Sequence, residues 1–71
     1  MSKIVDARGF SCPQPVIMAQ NAIQAGKFPV EVLVDTVTSR ENVRRMAERL
    51  GCRLGIAELD NEEFKLTLTR V

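Results

Sequence analysis

The sequence contains no histidine, no tryptophan and no tyrosine, and only two cysteines, Cys12 and Cys52. Without histidine a structural zinc site is not expected, and two thiols cannot build a multi-disulfide scaffold. A protease-like nucleophile paired with a histidine is excluded as well. With three phenylalanines as the only aromatics, the core falls to Val, Ile, Leu and Met. Charge of one sign is also missing: ten basic residues against nine acidic ones give +1, which argues against a strongly basic nucleic-acid module but leaves a local patch open. No run approaches the roughly 18–20 apolar residues of a membrane span. No apolar h-region marks a secretion signal at the N-terminus. What is present, 45% apolar and 27% charged residues over 71 positions, suits a small globular domain spanning residues 1–71. A cytoplasmic location with reduced thiols is the expectation, with no membrane association.

Patterning gives the order of elements. Residues 3–7 form a short strand, and a loop through Arg8, Gly9, Phe10 and Ser11 follows. Pro13 opens a helix to about Ala25, because the first helical position needs no N–H donor, and Pro15 still lies in the first turn. Val16, Ala19 and Ile23 make its inner stripe, widened by Ile17 and Ala22. Gly26 stops it and Pro29 prevents continuation. Val30 to Val34 is a β-branched central strand. Thr38 with Glu41 three residues on offers a capping box for a second helix, with Ser39 as the rival cap. Its stripe is Val43, Met46, Ala47 and Leu50, and Gly51 ends it. Cys52 to Leu59 and Phe64 to Thr69 read as strands of an antiparallel hairpin around a turn at residues 60–63. The expectation is an α/β two-layer sandwich, β-α-β-α-β-β, with a mixed four-stranded sheet and two helices on one face. The bare face would carry Glu31, Lys65, Thr67 and Thr69.

The chemically informative segment is Cys12-Pro13-Gln14-Pro15. Cys12 is expected at the cap of the first helix, where the macrodipole and free amides favour a thiolate. The prolines stiffen the mount and remove two donors, leaving the amides of Gln14 and Val16. Arg8 is placed to add positive charge if its loop folds back. No second cysteine follows at the CxxC position, which is Pro15, so a CxxC dithiol site is absent. A lone exposed nucleophile that meets its substrate on another protein fits a group carrier, and sulfane sulfur is the natural cargo. Against this stands the plain structural reading, a small buried hydrophobe at a helix start. Cys52, entering a strand, reads as a core or surface thiol, with the alternative of a resolving partner in a thiol redox element.

Other residues have weaker signals. Arg40, Arg44, Arg45, Arg49 and Arg53 form a basic stripe along and beyond the second helix. It is either a solvated face or a dock for an acidic partner or RNA phosphates, which would make the chain a non-catalytic interaction module. Asp6 is a candidate to orient Arg8 or cap loop amides, and Gly9 is a turn residue. Phe10 either packs beneath its loop or presents an apolar contact. Asp35 and Thr36 follow the second strand and read as simple loop caps, with a place near the start of the first helix as the alternative.

Residues 6–15, Asp6-Ala7-Arg8-Gly9-Phe10-Ser11-Cys12-Pro13-Gln14-Pro15, resemble the TusA/SirA-like sulfur-carrier family, and the likeness extends over nearly the whole chain. The family signature is an early Cys-Pro-x-Pro after an Asp-x-Arg/Lys-Gly-like loop. The resemblance implies the same two-layer fold and a carrier more than a complete enzyme, with no cofactor and no metal. It assigns the persulfide to Cys12 only, with Pro13 and Pro15 matching the motif prolines and Asp6, Arg8 and Gly9 the upstream loop; Arg8 and Gln14 join Cys12 as candidate site residues from the reading of the helix start, with Asp6, Gly9, Pro13 and Pro15 as support. Implied partners are a cysteine desulfurase or rhodanese-like donor and an acceptor protein; Phe10, Arg40, Arg44, Arg45 and Arg49, read from the residues themselves, are the candidates to contact them. Nucleic acid would be met only through a partner, as in tRNA thiolation. Residues 34–43 are similar to the YedF-type branch, whose proteins carry this unit at the start of a longer chain and are associated with selenium metabolism.

Overall fold

The computed structural model describes residues 3–10, 13–26 and 28–70. Ser11, Cys12 and Lys27 lie outside the described residues. The elements run β1 (Lys3–Asp6), α1 (Gln14–Gln24), β2 (Val30–Val34), α2 (Val37–Arg49), β3 (Cys52–Glu58) and β4 (Phe64–Arg70), with one 3-10 turn at Asp60–Glu62. The sheet order is β1-β2-β4-β3. β1 is parallel to β2, while β4 is antiparallel to both β2 and β3. Both helices cover one face of this mixed sheet, as the β-α-β-α-β-β order implies.

β2 sits at the centre because every second residue is a valine without exposed surface: Val30, Val32 and Val34. Their register partners on β4 are Leu68, Leu66 and Phe64, so one continuous apolar row faces the helices. Burying each such side chain contributes about 1.5–3 kcal/mol. Val5 and Ala7 extend the core beyond β1, and Ala19, Ala22, Val43, Met46 and Ala47 close it from above. The inward residues of α1 are the small side chains Pro15, Ala19 and Ala22. The bare face carries Glu31 and Lys65, whose charges are 3.8 Å apart. Leu33, in register with Lys65, is half-buried there, and Ile4 is 62% exposed.

Several expectations shift. α1 begins at Gln14, and the cap position falls on Pro13, so Cys12 is the residue before the cap. α2 is capped by Thr36, not Thr38 or Ser39, with its hydroxyl accepting from the Ser39 amide at 3.0 Å. Ser39 turns inward at the third helical position and is buried. Glu41 is free of any capping box and instead engages Arg40 and Arg44. Ile17 and Leu50, both expected in inner stripes, are each 45% exposed. Leu50 is the C-cap of α2, where the helix has already ended, and Gly51 follows with a left-handed φ of 81°. Ile56 shares the core-side row with Leu66 yet stays exposed, because β3 is an edge strand at the margin of the helical layer. Among the described residues no helix is long and apolar enough to cross a membrane.

Candidate functional site

Strand direction decides what meets at each end. β1 and β2 run parallel, so the loop after β1, the loop after β2 and the β3–β4 turn all gather at one end of the sheet. Both helices begin at that end, and their positive dipole ends lie on the same side. The loop after β1 is held there by three carboxylates from three parts of the chain. Asp6 accepts from the Arg8 backbone amide at 3.2 Å, from Arg8 Nε at 2.9 Å and from Nη2 at 2.8 Å. Glu63, before β4, accepts from Arg8 Nη1 at 3.1 Å. Asp35, after β2, accepts from the Gly9 amide at 2.8 Å. Gly9 has a φ of 84°, which a side-chain-bearing residue adopts only with strain. The Ala7 amide donates to the Leu33 carbonyl at 2.9 Å and anchors the loop to β2.

This network fixes the charge state of the loop. The paired guanidinium of Arg8 pulls the Asp6 carboxyl down to about 2, through side-chain and backbone hydrogen bonds. Arg8 is pushed up in turn by Asp6 and then Glu63. Its charge is therefore committed to the carboxylates of Asp6 and Glu63. Phe10, at the end of the loop, is 47% exposed.

α1 then opens at Pro13, and among the described residues no side chain caps its first turn. The first intrahelical bond runs from the Ile17 amide to the Pro13 carbonyl, at 3.1 Å. Pro15 occupies the second position and is buried, which wedges the first turn against the core. Neither proline has an N–H, so the amides of Gln14 and Val16 are the first-turn donors without an intrahelical acceptor. Gln14 itself is exposed. Such a helix start offers an anion two amides and a positive potential on a stiff support.

Residues 3–70 match the family described as sulfurtransferase TusA. The chain belongs to the TusA family. It is also similar to a SirA-like protein from Desulfitobacterium hafniense, whose crystal structure gives a TM-score of 0.87 at 38% sequence identity, over 97% of this chain and 96% of that one. No curated protein matches the chain. Membership of the TusA/SirA-like sulfur-carrier family thus rests on both sequence and structure.

The arginines of α2 separate into two groups in this TusA-family fold. Arg44 bridges Glu41 at 2.8 Å and Glu48 at 3.0 Å, and Arg40 pairs with Glu41 at 3.1 Å while its guanidinium lies 4.8 Å from the Phe64 ring centre. The two guanidinium groups, Arg44 foremost, lower the Glu41 carboxyl below its ordinary range. Arg45 and Arg49 are exposed and line a groove of about 290 Å³ between the helices, together with Val16 and Gln20 of α1. The groove places these two arginines alongside the first turns of α1. Arg53 lies on β3, on the bare side of the sheet opposite Thr69, and so leaves the stripe.

Cys52 is a half-buried free thiol opposite Arg70, at the end of the sheet where the helices finish. Pro13 lies at the opposite end, a full strand length away, about 20 Å for seven residues. Sequence reasoning missed Glu63, read only as part of a turn, and gave Asp35 no link to Gly9. Their partners are 55 and 26 positions away. The link is topological: the sheet order β1-β2-β4-β3 brings these two strand ends beside the first loop.

Proposed function

We propose that the protein is a sulfur carrier that holds a persulfide on Cys12 and relays sulfur between a donor and an acceptor protein. The observation that carries this reading is the family match through residues 3–70 together with an uncapped helix start directly after the Cys-Pro-x-Pro cysteine. The Cys12 thiolate attacks the terminal sulfur of a donor persulfide. An Sγ–S bond forms, the donor's S–S bond breaks, and the donor thiolate leaves; one sulfur atom moves and no external oxidant is consumed. Handing the sulfur onward repeats the exchange with the acceptor as nucleophile. The amides of Gln14 and Val16 and the dipole of α1 favour the anionic sulfur at each stage.

The donor class we favour is a cysteine desulfurase or a rhodanese-like protein, met in the cytoplasm. Exposed Phe10, Arg45 and Arg49 are the side chains offered to a partner. Arg40 and Arg44 are already paired, which weakens the alternative in which the whole stripe is an RNA dock. The likeness of residues 34–43 to the YedF-type branch supports sulfur or selenium metabolism as the setting beside tRNA thiolation.

The test is intact-mass measurement after incubation with a persulfide donor, followed by removal of excess donor. One added sulfur atom on the parent protein and none on Cys12→Ser is the expected result. Equal labelling of Cys12→Ser would move the activity to Cys52, and no labelling of the parent would end the carrier reading.

A further inference from the structure

We infer that Glu63 and Asp35 are positioning residues for the loop that leads into the Cys-Pro-x-Pro motif, holding it at Arg8 and Gly9. The inference rests on the carrier reading for its purpose but on the loop geometry for its content. A tight turn after β1 needs one local tie, and Asp6 supplies it by accepting from the Arg8 amide. The loop nevertheless receives two further ties from distant parts of the chain, Glu63 on the Arg8 guanidinium and Asp35 on the Gly9 amide. Exposed ion pairs contribute little to stability. Three carboxylates converging on residues 8 and 9 therefore make better sense as a device that selects one loop conformation.

Glu63 is itself set in place. Its carbonyl accepts from the Leu59 amide at 2.7 Å, and its amide donates to the Asp60 carbonyl at 3.4 Å. The preceding residue, Glu62, holds a left-handed φ of 60°, a conformation unfavourable for a side-chain-bearing residue. The hairpin tip thus turns the chain sharply just before the residue that reaches Arg8. Arg8 in turn spans the sheet: Asp6 belongs to edge strand β1, and Glu63 precedes β4, with β2 between them. The loop entering the motif is held at its base from both sides of β2. Its conformation becomes a property of the hairpin tip and the β2–α2 loop as well as of its own residues.

The test uses a Cys52→Ser background, so that only Cys12 reports. The rate of alkylation by iodoacetamide is followed across pH for the parent, Arg8→Ala, Glu63→Ala, the double variant and Asp35→Ala. Glu63→Ala and Asp35→Ala are expected to change the rate several-fold or to move the midpoint of its pH profile. Because Glu63 acts through Arg8, the double variant should match Arg8→Ala alone. Asp35→Asn, which keeps an acceptor oxygen for the Gly9 amide, should restore most of the Asp35→Ala loss. Thermal unfolding recorded in parallel confirms that each variant is folded at the assay temperature. Profiles of the two alanine variants that coincide with the parent would overturn the inference, as would additive effects of Arg8→Ala and Glu63→Ala. Alkylation needs no sulfur donor, so the two readings fail separately. A parent that never loads sulfur sinks the carrier reading alone, and unaltered profiles in a parent that does load sulfur sink the positioning alone.

Discussion

The two helices start side by side at one end of the sheet, and they start differently. α2 enters from extended backbone at Thr36, φ −140° and ψ 153°, and the Thr36 hydroxyl satisfies the Ser39 amide. α1 enters through Pro13 at φ −96° and ψ 13°, already near helical values, and has no side-chain cap. One helix closes its own end with a hydroxyl. The other relies on proline stiffness and a buried Pro15, and no described side chain takes its first amides. At the α2 start the Thr36 hydroxyl takes the Ser39 amide and leaves those of Val37 and Thr38, whereas at the α1 start no described side chain takes the amides of Gln14 and Val16. The two starts therefore differ in what holds them, a side-chain hydrogen bond at α2 and proline stiffness at α1.

The largest effects concern how deeply each helix is anchored. Met46 of α2 is buried, and Met46→Ala should destabilise the fold by about 2–5 kcal/mol in denaturant unfolding. Met18 of α1 is only half-buried against the core, so Met18→Ala should lose clearly less. Equal losses would mean that α1 is as firmly anchored as α2. Thr36→Ala should remove about 1 kcal/mol, lowering the melting temperature by about 4–8 °C for a domain of this size. Pro13→Ala should lose about 0.4–1 kcal/mol, chiefly by freeing the unfolded chain. A reversed order for these two would break the contrast between a capped start and a stiffened one.

The smallest effect is electrostatic and pH-dependent. Asp6 is held down to about 2 from an ordinary 3.8, so its contribution is fully present above about pH 4 and disappears as pH falls through 2. Asp6→Asn should therefore melt slightly below the parent at neutral pH, and the gap should close between pH 4 and 2. The side chain is exposed, so the gap is small. A gap that persists unchanged at pH 2 would mean that the Arg8 charge pairing is not what Asp6 provides.

The legible parts of this molecule were those governed by local period. Alternating valines marked β2, alternating Phe64, Leu66 and Leu68 marked β4, and Gly26 and Gly51 marked both helix stops with positive φ. The α2 cap was misplaced because Thr38 and Glu41 match a capping box in sequence. In the folded chain Glu41 has two arginines within reach, and Thr36 needs no acidic partner to satisfy Ser39. Ile17, Leu50 and Ile56 kept the right spacing but lie where the covering layer ends. At the site, the motif residues and the link from Asp6 to Arg8 are near neighbours and readable in order. Glu63 and Asp35 reach the loop only after the sheet has formed, so no local pattern announces them.

The central claim is that the open start of α1 favours the anionic form of the cysteine preceding it. Its most direct test is the pH titration of thiolate absorbance in the Cys52→Ser protein, with Cys12→Ser/Cys52→Ser as the blank. A midpoint clearly below the free-cysteine value of about 8.5 is the predicted result. A midpoint at or above that value would contradict the account.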